Sequence, residues 1–304
     1  MTGFGTGPRL DGKPVPPQRL GGLRPTRASL EAEAMAARFA EDGYLYLPGV
    51  LDPRAVAAAR QAVLGPLARV GEVAEPAAEG IATGTSERDS LAPDRGAFLR
   101  VIAEDPAVRA VTHGGDLARL TAAVLGAETV AFDFLWLRTM PPGRASPPHI
   151  DHVYMNRGTW DVVTAWLPLG DVPAEDGPLF LVEGSHRFDD LTGPLRGLDV
   201  DAVGAPPGSL DLDPVALAAE RGARLLTADF RAGDVVLFGM FMLHASFDNA
   251  SPAGRVRVSC DARWQRADDA RDPRYFGDPP AGHKGQSYGG LSAARPLTEA
   301  GNRR

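Results

Sequence analysis

The sequence predicts a mainly β fold, a double-sheet jelly roll with flanking helices, for this chain of 304 residues. Three observations predict it. Short runs of alternating apolar residues recur from Val130 onward, and Gly, Pro and Asp turn signals separate them. The longer stretches of helical periodicity all precede Gly126.

Residues 1–27 hold several Gly and Pro with little periodicity and read as an arm, either disordered or draped over the body. Ser29 can cap a helix through about Glu41, and Glu31 and Glu33 then lie favourably against its dipole. Tyr44 to Leu47 reads as a strand. Asp52-Pro53 starts a second helix, an N-cap followed by proline at the first helical position, and an Ala-rich run carries it to about Leu64. Residues 70–98 lack a clear period and are expected to be irregular, a candidate lid. Leu117, Leu120 and Val124 recur at helical spacing, with Gly126 as the stop.

One continuous strand is expected from Val130 to Thr139, followed by strands near 148–154, 162–169, 178–182, 225–230, 234–239, 241–245 and 255–264. Residues 187–224, with a short helix from Pro214 to Arg221, interrupt the series as an insertion near the mouth. The expected organisation is an arm over 1–27, one jelly-roll domain over 28–265, and a loosely held C-terminal tail over 266–304.

Composition excludes several functions. Charged residues make up 23%, the net charge is −7 and the pI is 5.4, so nothing electrostatic favours nucleic acid or an anionic membrane as a partner. Met1 to Leu20 has no apolar core segment of a secretory signal, and no apolar run is long enough for a bilayer, so a cytoplasmic location is expected. Cys260 is the single cysteine; it permits no internal disulfide and no cysteine-rich metal site, and reads as a small buried hydrophobe. Histidine and carboxylate remain as metal ligands. The sequence defines no oligomeric state.

The chemistry concentrates at His149-Ile150-Asp151-His152-Val153-Tyr154. In an extended strand, residues two apart share a face, so His149 and Asp151 can offer an imidazole and a carboxylate to one metal while His152 points away. A twist at Asp151 would let His152 replace His149. A third ligand from a distant strand, His244, completes a two-histidine, one-carboxylate face whose open positions suit a non-haem Fe(II) oxygenase.

Around these residues stand Phe39 to Leu51, Thr164 to Leu169, Asp176-Gly177-Pro178-Leu179, Val182 to His186, Gly233 to Phe238, and His244-Ala245-Ser246 followed by Asn249, Ser251, Arg255 and Arg257. In this order and spacing they resemble the phytanoyl-CoA dioxygenase family of Fe(II)- and 2-oxoglutarate-dependent oxygenases, from Phe39 to about Trp264. The resemblance implies a double-stranded β-helix, the cupin-like jelly roll, in which His149, Asp151 and His244 bind Fe(II). It implies that Arg255, eleven residues after His244, pairs with the distal carboxylate of 2-oxoglutarate, and that Ser246, Trp166 and Arg138 help to hold this cosubstrate. A guanidinium suits that task because it stays charged and donates two parallel hydrogen bonds. Arg257 competes, since alternation on Gly254 to Cys260 puts Arg255, Arg257 and Ser259 on one face; the eleven-residue offset favours Arg255.

Tyr154, Met155, Asn156 and Trp160 follow the metal pair and are candidate substrate contacts, although the aromatic ones could equally be core anchors. His113 reads as a surface cap at a helix end, His186 as structural and His283 as exposed. The expected reaction consumes 2-oxoglutarate and O2, releases succinate and CO2, and hydroxylates an unactivated C–H of a small metabolite. Asp151 rules out the halogenating variant, which replaces this carboxylate with a small residue. Two rivals remain: a zinc-type hydrolase or lyase on the same ligands, and a non-catalytic jelly-roll binding protein.

Overall fold

In the computed structural model, which describes residues 7–285 and 287–299, two sheets face one another and a layer of helices covers the larger. In chain order the strands are β1 (Arg9–Leu10), β2 (Lys13–Pro14), β3 (Leu20–Gly22), β4 (Tyr44–Leu47), β5 (Thr129–Ala131), β6 (Trp136–Met140), β7 (Val162–Pro168), β8 (Leu179–Val182), β9 (Leu225–Thr227), β10 (Val235–Gly239), β11 (His244–Ser246) and β12 (Arg257–Arg266). The helices are α1 (Ala32–Asp42), α2 (Pro53–Arg69), α3 (Arg88–Leu91), α4 (Arg95–Ala103), α5 (Pro106–Thr112), α6 (Gly115–Leu125), α7 (Asp189–Thr192) and α8 (Pro214–Glu220).

The larger sheet runs β4-β10-β7-β12, and the far edge of β12 pairs with β6 along its first half and β5 along its end. The smaller sheet is β11-β8-β9-β3. Alternation sorts the two faces of the larger sheet. Leu45, Leu47, Ala165, Leu167, Val235, Leu237, Val258, Cys260 and Ala262 point outward and join α2, α5 and α6 in one apolar cluster. Val56, Ala59, Val63 and Leu67 put the buried stripe of α2 at helical spacing, each larger side chain contributing about 1.5–3 kcal/mol. Facing inward, Tyr44, Tyr46, Trp166, Val236 and Phe238 meet Leu179, Leu181 and Leu226 of the smaller sheet. This aromatic plug fills one end of the roll and leaves the other end to polar groups.

Several elements differ from expectation. α1 starts at Ala32 without a side-chain cap, because Arg27 to Leu30 already closes a turn through Leu30 N–H to the Arg27 carbonyl. α2 runs past Leu64 to Arg69. The arm is seated on the body: β3 pairs parallel with β9, while Met1 to Thr6 lie outside the described residues. The strand expected from Val130 to Thr139 breaks between β5 and β6, where Phe132 and Phe134 turn into an aromatic cluster with Tyr275 and Tyr288. Those tyrosines belong to the tail, whose described part is held firmly. Tyr275, Tyr288, Leu291, Ala293 and Ala294 are buried, and Arg88 donates to the carbonyls of Ala293 and Arg295 at 3.0 Å each. The segment 70–98, expected to be irregular, contains α3 and the first turn of α4, and a buried Arg88–Glu72 ion pair pins it.

Candidate metal centre

Pro147-Pro148 delivers the chain to the free edge of β11, where His149 and His244 exchange both backbone hydrogen bonds at 3.0 Å. The pairing then stops. The partner chain turns back at Gly239 to Met242, so Asp151–Val153 form a 3₁₀ turn rather than the expected strand. The turn still brings the carboxylate round: Asp151 Oδ1 lies 3.9 Å from Nε2 of each histidine. One ligand atom from each of His149, Asp151 and His244 lies within 4.8 Å of the others, and all three residues are buried.

Each imidazole is fixed by a carbonyl. His149 Nδ1 lies 2.8 Å from the Pro147 carbonyl and His244 Nδ1 2.9 Å from that of Met242. A carbonyl can only accept, so Nδ1 carries the proton and the Nε2 lone pair faces the centre. Burial, then the neighbouring His244, pushes His149 down to about 3, and burial lowers His244 as well. Burial alone would raise Asp151, but the Arg263 guanidinium, the two imidazoles and the Thr164 hydroxyl hold it below the usual carboxylate range. Two neutral imidazoles and an ionised carboxylate are the donor set that a divalent cation requires.

The inward face of β12 continues the site as Arg257, Ser259, Asp261 and Arg263. Arg263 Nη2 donates to both Asp151 oxygens at 3.0 and 3.2 Å, and Thr164 Oγ1 donates to Oδ2 at 2.5 Å. Arg138 Nε donates to Asp261 at 2.6 Å. Arg257 is 3% exposed; its Nη1 donates to Ser259 Oγ at 2.8 Å, while Nε and Nη2 are buried without a partner. Burial, then Arg138, lowers it to about 10. A buried cation with vacant donors fits an anionic group brought by a ligand.

The structure places Arg255 away from this strand face, in contrast to the position expected for it. It precedes β12, its N–H donates to Ser251 Oγ, and its Nε donates to Asp176 at 2.7 Å. It lines a surface cavity of about 620 Å³ with Arg60, Asp171 and Arg231, not the interior. Ser246, two residues from His244, accepts from Ser146 N–H at 2.8 Å. Trp166 packs on Phe230 with ring centroids 4.7 Å apart.

Of the four candidate substrate contacts, only Tyr154 borders the centre: its ring meets His149 edge-on at 5.9 Å. Its ring and hydroxyl press against Gly208, where an added Cβ would lie 2.3 Å from Cζ. Met155 is buried in the outer core, Asn156 donates to the Leu198 carbonyl at 2.6 Å, and Trp160 is 45% exposed with Nε1 on the Asn156 carbonyl. His152 points away, stacked on Phe241 at 4.6 Å. Two other histidines are less exposed than expected: His113 contacts the Phe132 carbonyl at 2.9 Å, and His283 packs on Tyr154 at 5.4 Å.

Thr164, Asp261 and Arg263 were missed by sequence reasoning. The signal was present, since the alternation that gives Arg257 and Ser259 continues to Asp261 and Arg263, and Thr164 shares the face of Trp166.

A jelly roll enclosing two imidazoles, one carboxylate and a free guanidinium defines a non-haem iron oxygenase of the 2-oxoglutarate class. Comparison with known proteins gives the family. Residues 39–257 match the phytanoyl-CoA dioxygenase (PhyH) family, and the chain belongs to it. A protein named 1-deoxypentalenic acid 11-beta-hydroxylase from Streptomyces arenae is 30% identical over 79% of this chain and 83% of its own. Its namesake from Streptomyces exfoliatus is 29% identical over 86% of this chain and 91% of its own. Among solved structures, the epimerase SnoN in complex with Fe3+, alpha ketoglutarate and nogalamycin RO shares the fold (TM-score 0.54, 23% identity, 80% of this chain and 86% of that one). So does apo EctD from S. alaskensis (TM-score 0.54, 22% identity, 88% of this chain and 86% of that one). The protein is an Fe(II)- and 2-oxoglutarate-dependent dioxygenase.

Proposed function

We propose that the protein hydroxylates an unactivated C–H of a small metabolite, with Fe(II) held by His149, Asp151 and His244 and the distal carboxylate of 2-oxoglutarate held by Arg257. The observation that carries this reading is the pair of vacant donors on Arg257, buried on the strand face that also reaches Asp151. A cation with vacant donors beside the metal ligands suits a cosubstrate that carries a second carboxylate, which the oxygenase reading requires. Held by these residues, iron and 2-oxoglutarate would supply O2 activation for hydroxylation of the C–H, with succinate and CO2 as co-products.

The chain's own residues prepare this step. The Pro147 and Met242 carbonyls orient the two imidazoles, and Arg263 and Thr164 orient the carboxylate. Arg257 neutralises the far end of the cosubstrate, and Ser246, Trp166 and Arg138 line its place. Tyr154, whose ring meets His149, forms the wall against which the substrate presents its carbon. The relatives named 1-deoxypentalenic acid 11-beta-hydroxylase support hydroxylation of a small-molecule substrate. No helix among the described residues is long and apolar enough to cross a membrane.

Anaerobic addition of Fe(II) and 2-oxoglutarate should produce a weak visible charge-transfer band. Arg257→Ala should abolish it at cosubstrate levels that saturate the wild type, whereas Arg255→Ala should leave it unchanged. A well-metallated wild type without the band removes the oxygenase reading, and loss of the band in Arg255→Ala alone returns the anchor to Arg255.

A further inference from the structure

Arg263 is 1% exposed; its two terminal nitrogens are both engaged, while its Nε is buried without a partner. Its guanidinium carbon lies 4.1 Å over the Trp136 ring, and its Nη1 donates to the Asp261 carbonyl at 3.1 Å. The Asp261 carboxylate, 3.6 Å from the same Nη1, is held from its other side by Arg138. The other terminal nitrogen, Nη2, meets both oxygens of Asp151. Each carboxylate oxygen offers two acceptor sites. Oδ2 accepts from both Thr164 and Arg263, which uses both; Oδ1 accepts once from Arg263 and keeps its second site toward the two Nε2 atoms.

We infer that Arg263, with Thr164, is a positioning residue that keeps Asp151 a one-oxygen metal ligand and so keeps open the positions that cosubstrate and dioxygen need. This inference rests on the metal-centre reading above. Taking one atom from each of three residues would leave the ion's other coordination positions exchangeable, as a chelating 2-oxoglutarate and O2 require. A carboxylate free to swing would bind through both oxygens and close one of them.

The test replaces iron with air-stable Mn(II) and measures both its affinity and the water-proton relaxivity per bound ion, which reports the exchangeable waters on the metal. Arg263→Gln and Thr164→Val should each lower relaxivity by about one water's share and weaken Mn(II) binding by about 10–100-fold, the usual cost of losing a group that orients a ligand. Arg263→Lys, which keeps a charged donor, should restore most of both. Unchanged relaxivity per bound ion in the folded variants overturns the inference, whatever happens to affinity. If Arg263→Gln does not fold, Thr164→Val decides by the same measurement. A wild type that takes up no Mn(II) overturns the metal-centre reading itself, a result distinct from unchanged variants on a loaded wild type.

Discussion

Arg257 and Arg255 lie two residues apart and carry the same charge, yet one is sealed inside the roll and the other is half-paired at the surface. The difference comes from where β12 begins. Asn249 Nδ2 donates to the Arg255 carbonyl and Ser251 Oγ accepts from its N–H, so Arg255 closes a loop instead of entering the strand. Arg257→Ala should weaken 2-oxoglutarate binding by at least about 2 kcal/mol, roughly thirtyfold, by titration calorimetry, because it removes a charged partner in a dry site. Near-wild-type affinity would exclude Arg257 as the anchor. The metal triad was legible because ligand chemistry narrows the choice to histidine and carboxylate. The choice between Arg255 and Arg257 was not, because alternation needs a known strand start, which depends on side-chain bonds formed elsewhere in the loop.

Elements were legible where local signals decide them and obscure where a partner does. Asp52-Pro53 and Gly126 bound their helices as read. Pro-His-Ile-Asp-His-Val-Tyr has a strand's alternation, but its neighbour β11 ends the ladder at His244, and a strand without a partner becomes a turn. Gly177 shows the opposite case, a turn signal with an exact steric cause. Its φ is +72° and an added Cβ would lie 2.8 Å from the Asn249 nitrogen and the Phe247 oxygen. Gly177→Ala should therefore destabilise the fold by at least about 1–2 kcal/mol in urea denaturation; a neutral effect would show that this connection yields easily.

Two histidines, His113 and His152, carry a pH response. Burial, then Arg109, pushes His113 down to about 4, and burial, then Arg196, does the same to His152. The unfolded chain takes up these protons near pH 6.5 and the folded chain only near 4. Their contribution is thus full above about pH 6.5 and declines as the pH falls toward 4. His113→Gln should flatten the decline of the urea midpoint across that window; a slope identical to wild type would remove His113 as a cause.

At the scale of the whole molecule, the jelly roll was legible from strand count and turn spacing, while the binding of the two chain ends was not, because glycine-rich and proline-rich stretches carry no periodicity. The tail supplies Tyr275 and Tyr288 to the cluster around Phe134, and Arg88 joins it to Glu72. Arg88→Met breaks a buried ion pair and should cost about 3–5 kcal/mol of stability in urea denaturation, since Glu72 is left buried without its cation. A loss below about 1 kcal/mol would show that Glu72 finds water or another donor.

The pairing of β4 with β10 sets the tempo at which this molecule assembles. Tyr46 donates to Asp234 across 188 residues of chain, and the larger sheet cannot close until that loop does. Closure of so distant a contact is slow compared with helix formation, so refolding from urea should regain far-UV helical signal early and tryptophan burial late, on a timescale of roughly milliseconds to seconds or longer.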